Sequence, residues 1–104
     1  MGTLRKENIV KTLKELLENL ESLDDELTIY AKSDPEWSPD SYAIACSPLQ
    51  DGTTKPPPEA VGMEYFLEVF IAKEVVEDLE SIGQTKPSLQ EICNAVIHYA
   101  KYDA

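Results

Sequence analysis

Basic side chains are scarce in this chain, and their scarcity excludes whole classes of partner. Nine Lys and Arg stand against twenty Asp and Glu over 104 residues, a formal charge of −11. A surface of that sign repels nucleic-acid phosphates and anionic lipid headgroups, so neither is expected as a direct partner. Histidine occurs once, at His98, and cysteine twice, at Cys46 and Cys93. No CxxC pairs the cysteines, which argues against a zinc ribbon or a dithiol redox motif and leaves two reduced, buried, small apolar side chains. A spacing of five sets Cys93 and His98 about 140° apart around a helix, too far round for a nucleophile and its base. G-x-S-x-G, P-loop, G-x-G-x-x-G and H-E-x-x-H signatures are missing too. No apolar run approaches the roughly 18 residues of a membrane span, and no basic-then-apolar leader pattern opens the chain. The expectation is a cytoplasmic protein with no catalytic motif, no cofactor and no metal.

The longest apolar-rich run is Met63 to Leu79, MEYFLEVFIAKEVVEDL, and it holds both Phe residues. Read as a strand, it puts Glu64, Phe66, Glu68 and Phe70 on one side and Tyr65, Leu67, Val69 and Ile71 on the other. Read as a helix, it stacks Leu67, Ile71, Val75 and Leu79 at four-residue steps. Aromatic and β-branched residues crowd its first half, and Lys, Glu and Asp its second. The run is therefore divided into a strand over 64–70 and a helix over 71–82. Neither Ile71 nor Ala72 is a good N-cap, so one uninterrupted helix stays open as the alternative.

The other elements flank this run. Ile9, Leu13, Leu16, Leu17, Leu20 and Leu23 make a helical stripe, which predicts a helix over 4–23. LTIYA over 27–31 and YAIAC over 42–46 read as short strands, with Ala43 and Ala45 suited to a face closely covered by a helix. Residues 47–62 collect four of the seven prolines and two of the four glycines and read as a long loop. Ser81-Ile82-Gly83 then supplies a helix stop, and Ser88-Leu89-Gln90-Glu91 a capping box that starts a helix over 88–102. The sum is a single α+β domain over 1–104, in the order α-β-β-β-α-α, with an antiparallel three-stranded sheet sheltered on one face by helices.

Several residues invite a functional reading beside a plainer one. Asp24, Asp25 and Glu26 are consecutive and cannot converge on one cation, so a solvated turn is preferred. KSDPEWSPDS carries acids at Asp34, Glu36 and Asp40 but lacks the glycine and the distal glutamate of a calcium loop. Trp37 is either an exposed recognition anchor or, the preferred reading, a plug fastening its loop over the core. Glu64 and Glu68 share a face in either reading of their run and fit its solvated side. Trp37, Asp40, Asp51, Glu64 and Glu68 form the candidate contact surface.

The succession Tyr65-Phe66-Leu67-Glu68-Val69, Glu74-Val75-Val76 and Asn94-Ala95-Val96-Ile97-His98-Tyr99 through Asp103-Ala104 resembles a bacterial family of small uncharacterised domains of about this length. The resemblance implies the same helix and strand order, a Trp-containing loop near Trp37 and Asp40, and an Asp cap for the middle helix at the position Ile71 occupies here. It also implies a likeness to immunity proteins, which neutralise a toxin.

The function expected is a non-enzymatic, acidic protein-binding module, immunity-type or regulatory, that engages a basic partner. The alternative is a small-molecule-binding or enzymatic domain with a site assembled around Trp37, Tyr42, Cys46 and His98. Monomer and homodimer both remain open.

Overall fold

The computed structural model describes residues 10–33, 36–47, 56–83 and 86–102. Its elements are β1 (Lys11–Thr12), α1 (Leu13–Glu18), β2 (Thr28–Ala31), β3 (Tyr42–Cys46), β4 (Glu64–Glu68), α2 (Val69–Ile82) and α3 (Leu89–Tyr102). Short 3₁₀ turns lie at Leu20–Ser22 and Pro58–Ala60. The α+β class and the antiparallel sheet agree with the sequence reading, but the sheet has four strands rather than three, in the order β1-β3-β2-β4.

The extra strand and the shortened first helix have one cause. A helix was expected over 4–23; Leu4 to Ile9 lie outside the described residues, and Lys11 and Thr12 pair with Ala43 and Tyr42 of β3. Thr12 is extended and caps α1: its hydroxyl accepts the Glu15 N–H at 3.2 Å, while the Glu15 carboxylate accepts the Thr12 N–H at 3.0 Å. This capping box sets the start of the helix at Leu13. At the other end Asn19 closes the helix and the chain tightens into Leu20–Ser22. The stripe survives as Leu13, Leu16, Leu17 and Leu20, all buried, whereas Val10 is exposed.

The central run switches from strand to helix at Val69, two residues before the expected break and with no side-chain cap at Glu68. The Val69 N–H instead donates to the Leu27 carbonyl at 2.9 Å, so the sheet ladder satisfies one of the N–H groups that a helix start leaves open. Ile71 falls inside the first turn, partly buried against the core. The alternation expected over 64–70 is broken as well. Ile29 faces Leu67 and Tyr30 faces Tyr65, so Phe66 is an extra residue. This bulge lets Phe66 and Leu67 join one core cluster.

That cluster sits between sheet and helices. Ala43, Ala45, Ile29, Ala31, Phe66 and Leu67 meet the leucines of α1, Val69, Ala72 and Val76 of α2, and Cys93 and Val96 of α3. The small Ala43 and Ala45 give α1 its close seat on β3. The opposite face of the sheet is covered too. Tyr30, Ile44 and Cys46 pack with Ala60, from the stretch over 47–62 read as a long loop, and with Met63, which follows it. There the Met63 N–H returns to the Ala60 carbonyl at 3.0 Å, and Gly62 has φ 81°, which side-chain-bearing residues adopt at a cost.

Ser88 caps α3 as its S-x-x-E box implies, accepting the Glu91 N–H at 3.2 Å while Glu91 accepts the Ser88 N–H at 2.8 Å. Ser88→Ala should lower stability by about 1 kcal/mol in urea denaturation. The loss should appear without a change in the slope of the transition, since no apolar surface is removed.

In the matching box on α1, hydrogen bonds from the Thr12 backbone and then its hydroxyl hold the Glu15 carboxyl below its usual range. A folded pKa below the unfolded one makes this contribution present above the ordinary carboxylate range and lost as pH falls through the folded value. Glu15→Gln should therefore flatten the acid limb of a stability-against-pH curve. A limb of unchanged steepness would show that the cap does not titrate.

Candidate functional site

The loop between β2 and β3 carries the lone Trp, and its placement begins with hydrogen bonds. The carbonyls of Ser41 and Pro39 accept the N–H groups of Leu13 and Lys14 at 2.8 and 2.9 Å, so this loop serves the open end of α1. Ser38 and Ser41 close it on itself, with the Ser38 N–H donating to the Ser41 hydroxyl at 2.9 Å. The Trp37 indole N–H donates to the Ala31 carbonyl at 3.1 Å, and its ring meets Phe66 edge to face, centroids 4.9 Å apart and planes at 86°. Trp37 is partly buried and held from two sides.

Its remaining surface lines an open groove of ≈ 330 Å³ together with Ser33, Glu36, Glu64, Ala100 and Lys101. Four parts of the chain meet there: the exit of β2, the Trp loop, the start of β4 and the last turn of α3. Lys101 Nζ lies 2.6 Å from Glu36 Oε1, and the Ser33 hydroxyl donates to Glu64 Oε2 at 3.1 Å. The pairing holds the Glu36 carboxyl below its usual range and raises the Lys101 ammonium above its own, the hydrogen bond being the main cause for each.

Asp40 is exposed in the same loop and lines a neighbouring hollow of ≈ 230 Å³ with Lys32, Glu36, Ser38, Ser41 and Tyr42. Of the candidate contact residues, Trp37 and Glu64 thus share one groove, and Asp40 adjoins it across Glu36. Glu68 belongs elsewhere, to a hollow with Asp25, Glu26 and the exposed Phe70. Asp51 lies outside the described residues. Sequence reasoning missed Lys101 as a member of the site, although a cation in the last turn of a helix is a readable signal.

The four residues of the alternative site do not converge. Cys46 is buried on the face of the sheet that carries Tyr30, Ile44 and Ala60. Trp37 packs against the other core, and His98 sits exposed on α3 beside Tyr102, ring centroids 4.8 Å apart. Tyr42 is 61% exposed. Among the described residues no group of three or more His, Cys, Asp or Glu side chains is placed to hold a metal, and no helix is long and apolar enough to cross a membrane.

A larger hollow, ≈ 750 Å³, lies along α1 and the start of β2, lined by Glu15, Asn19, Ser22 and Asp24 among others. Those groups are committed to local structure: Glu15 to the capping box, Asn19 Nδ2 to the Glu15 carbonyl, Ser22 to the Asn19 carbonyl, and Asp24 to the Glu26 N–H. The Trp37 groove is the better candidate despite its smaller size, because its walls combine an aromatic ring with two carboxylates.

Residues 9–104 match the family model of a domain of unknown function, DUF7716. The chain belongs to that family. No curated protein and no solved structure matches it. The DUF7716 domain thus brings a fold-sized unit without an assigned activity, and the chemistry of the site has to be read from its own side chains.

The two thiols of this DUF7716 domain illustrate that reading. Burial, with Glu59 nearby, pushes the Cys46 thiol up to about 11, and burial raises Cys93 as well. A thiol is nucleophilic as its thiolate, so both should resist a thiol-selective alkylating reagent near neutral pH and react together once urea unfolds the chain. Rapid modification of Cys46 in the folded protein would show that the Pro57–Met63 cover opens.

Proposed function

We propose that the chain is a non-enzymatic protein-binding module, immunity-type or regulatory, that engages a basic partner through the face bearing the Trp37 groove. The observation that carries this reading is the union of Trp37, Glu36 and Glu64 in one groove of a chain whose formal charge is −11. A fixed indole supplies contact area at little entropic cost, and carboxylates around it select positive charge. The surplus of acids adds long-range steering, because only Lys73–Asp25 and Lys101–Glu36 form ion pairs among the described residues. The immunity-type part of the proposal rests on the sequence resemblance carried by Tyr65–Val69 and Asn94–Tyr99. The proposal includes a cytoplasmic setting, in which buried thiols such as those of Cys46 and Cys93 stay unpaired.

We read the protein as a monomer. The outer edge of β4 invites pairing with another strand, but it is short, bulged and flanked by acids. An antiparallel pairing of two copies about Phe66 sets Glu64 of one against Glu68 of the other. Like charges facing each other oppose that dimer.

A synthetic peptide rich in Arg and Lys should perturb the backbone amide signals of Glu36, Trp37, Asp40 and Glu64 in a nuclear magnetic resonance titration. Raising salt from about 0.1 M to about 1 M, which shortens the screening length from about 10 Å to about 3 Å, should weaken binding at least tenfold. An acidic peptide of equal length should leave the spectrum unchanged. Perturbations confined to the Glu68 and Phe70 side, or indifference to salt, would count against this face.

A further inference from the structure

Lys101 is the chain's own cation at the Trp37 groove, and its position suggests what the groove is built to take. The ammonium reaches Glu36 from the last turn of α3 and lies 5.5 Å from the Tyr102 ring centroid. Its grip is light. Lys101 and Glu36 side chains are 31% and 69% accessible, and exposed pairs of this kind are held weakly. Each flanking carboxylate also keeps an oxygen without a protein donor among the described residues. Lys101 uses Glu36 Oε1, and Ser33 uses Glu64 Oε2.

We infer that the groove is a receptor for one arginine side chain of the partner, and that Lys101 is a tethered stand-in which the arginine displaces from Glu36. The inference rests on the basic-partner reading and names the group recognised. Guanidinium fits better than ammonium for geometric reasons. It is planar, so it can lie against the indole of Trp37. It also presents N–H groups along two edges, one towards Glu36 and the other towards Glu64, whereas an ammonium is a point charge that one carboxylate can satisfy. The indole is held by Ala31 and Phe66 before any ligand arrives, so little ordering is left to oppose binding. The C-terminal end of the α3 dipole adds a partial negative charge beside Ala100 and Lys101. Displacing Lys101 then leaves a second positive charge at the rim, which disfavours a ligand carrying two adjacent cations and favours an isolated arginine.

Trp37 is the only tryptophan, so its fluorescence and its indole N–H signal report the groove directly. The probes are three acetylated, amidated tripeptides with arginine, lysine or citrulline at the centre, and polyarginine. Lys101→Gln should keep the wild-type melting curve and bind the arginine tripeptide several-fold more tightly than wild type, with the Trp37 signals moving. Lys101→Met should do the same, which separates vacancy of the groove from any property of glutamine. Lysine should bind more weakly than arginine, citrulline should not bind, and Glu64→Gln in the Lys101→Gln background should abolish the response. Equal binding of arginine and citrulline, or unchanged affinity in both Lys101 variants, would overturn the inference. If polyarginine moves the backbone amide signals of Glu36, Asp40 and Glu64 with salt dependence while the indole fluorescence and indole N–H of Trp37 stay still, the arginine receptor fails and the basic-partner reading stands. If polyarginine does not bind at all, both fail.

Discussion

The hydrogen bond from the Val69 N–H to the Leu27 carbonyl is the constraint on which the layering depends. It lies where β4 becomes α2 with no side-chain cap at Glu68 and no acid in the first helical turn. A helix start of that kind loses about 1 kcal/mol relative to a capped one, and without help the boundary could drift along a sequence that reads plausibly as either element. The sheet removes the ambiguity. Pairing Thr28 with Glu68 and Ile29 with Leu67 keeps the chain extended as far as Glu68, and the next N–H is consumed by Leu27. Val69 then enters the helix with its side chain already in the core, followed one turn later by Ala72 and then Val76. A tertiary contact thus settles a choice that local propensity leaves open.

The same logic explains which parts of the fold were legible. YAIAC showed its two faces through residue size alone, small Ala43 and Ala45 towards the helices and Tyr42, Ile44 and Cys46 away, and the structure follows that division. Ser88 and Glu91 announced a helix start through chemistry contained in four residues. Thr12 and Glu15 carry the same signature, yet the leucine stripe running from Ile9 masked it, because periodicity extends a helix wherever apolar residues keep the spacing. The bulge at Phe66 left no local trace. Its alternation reads as regular, and only the register against β2, where Ile29 meets Leu67 and Tyr30 meets Tyr65, reveals the extra residue.

The Pro-rich stretch was opaque for a different reason. Its described end buries Ala60 against Tyr30, Ile44 and Cys46, with Met63 just beyond it packed alongside, so it acts as a lid on the second face of the sheet. A lid made of one 3₁₀ turn and a glycine-dependent turn has no periodicity to detect. It nevertheless removes the free β surface that a four-stranded antiparallel sheet with helices on one side would otherwise present to solvent. Cys46 ends up beneath it, which places the sheet between that thiol and His98 and accounts for the failure of the four-residue site to assemble.

Trp37 unites the structural argument with the proposed function, since the plug and the proposed anchor are two surfaces of one side chain. Its N–H and one ring edge are spent on Ala31 and Phe66, which fastens the loop; what remains faces Glu36 and Glu64. Fastening is what makes the exposed part useful, because a ring that cannot reorient keeps its face aligned with the carboxylates on either side. The bulge contributes here as well. By turning Phe66 to the helix side beside Leu67, it gives Trp37 a partner while Glu64, two residues earlier, remains exposed at the groove. A regular strand would have had to choose between seating the tryptophan and keeping Leu67 in the core. One extra residue in β4 therefore links the packing of the interior to the groove that sets Trp37 beside Glu36 and Glu64.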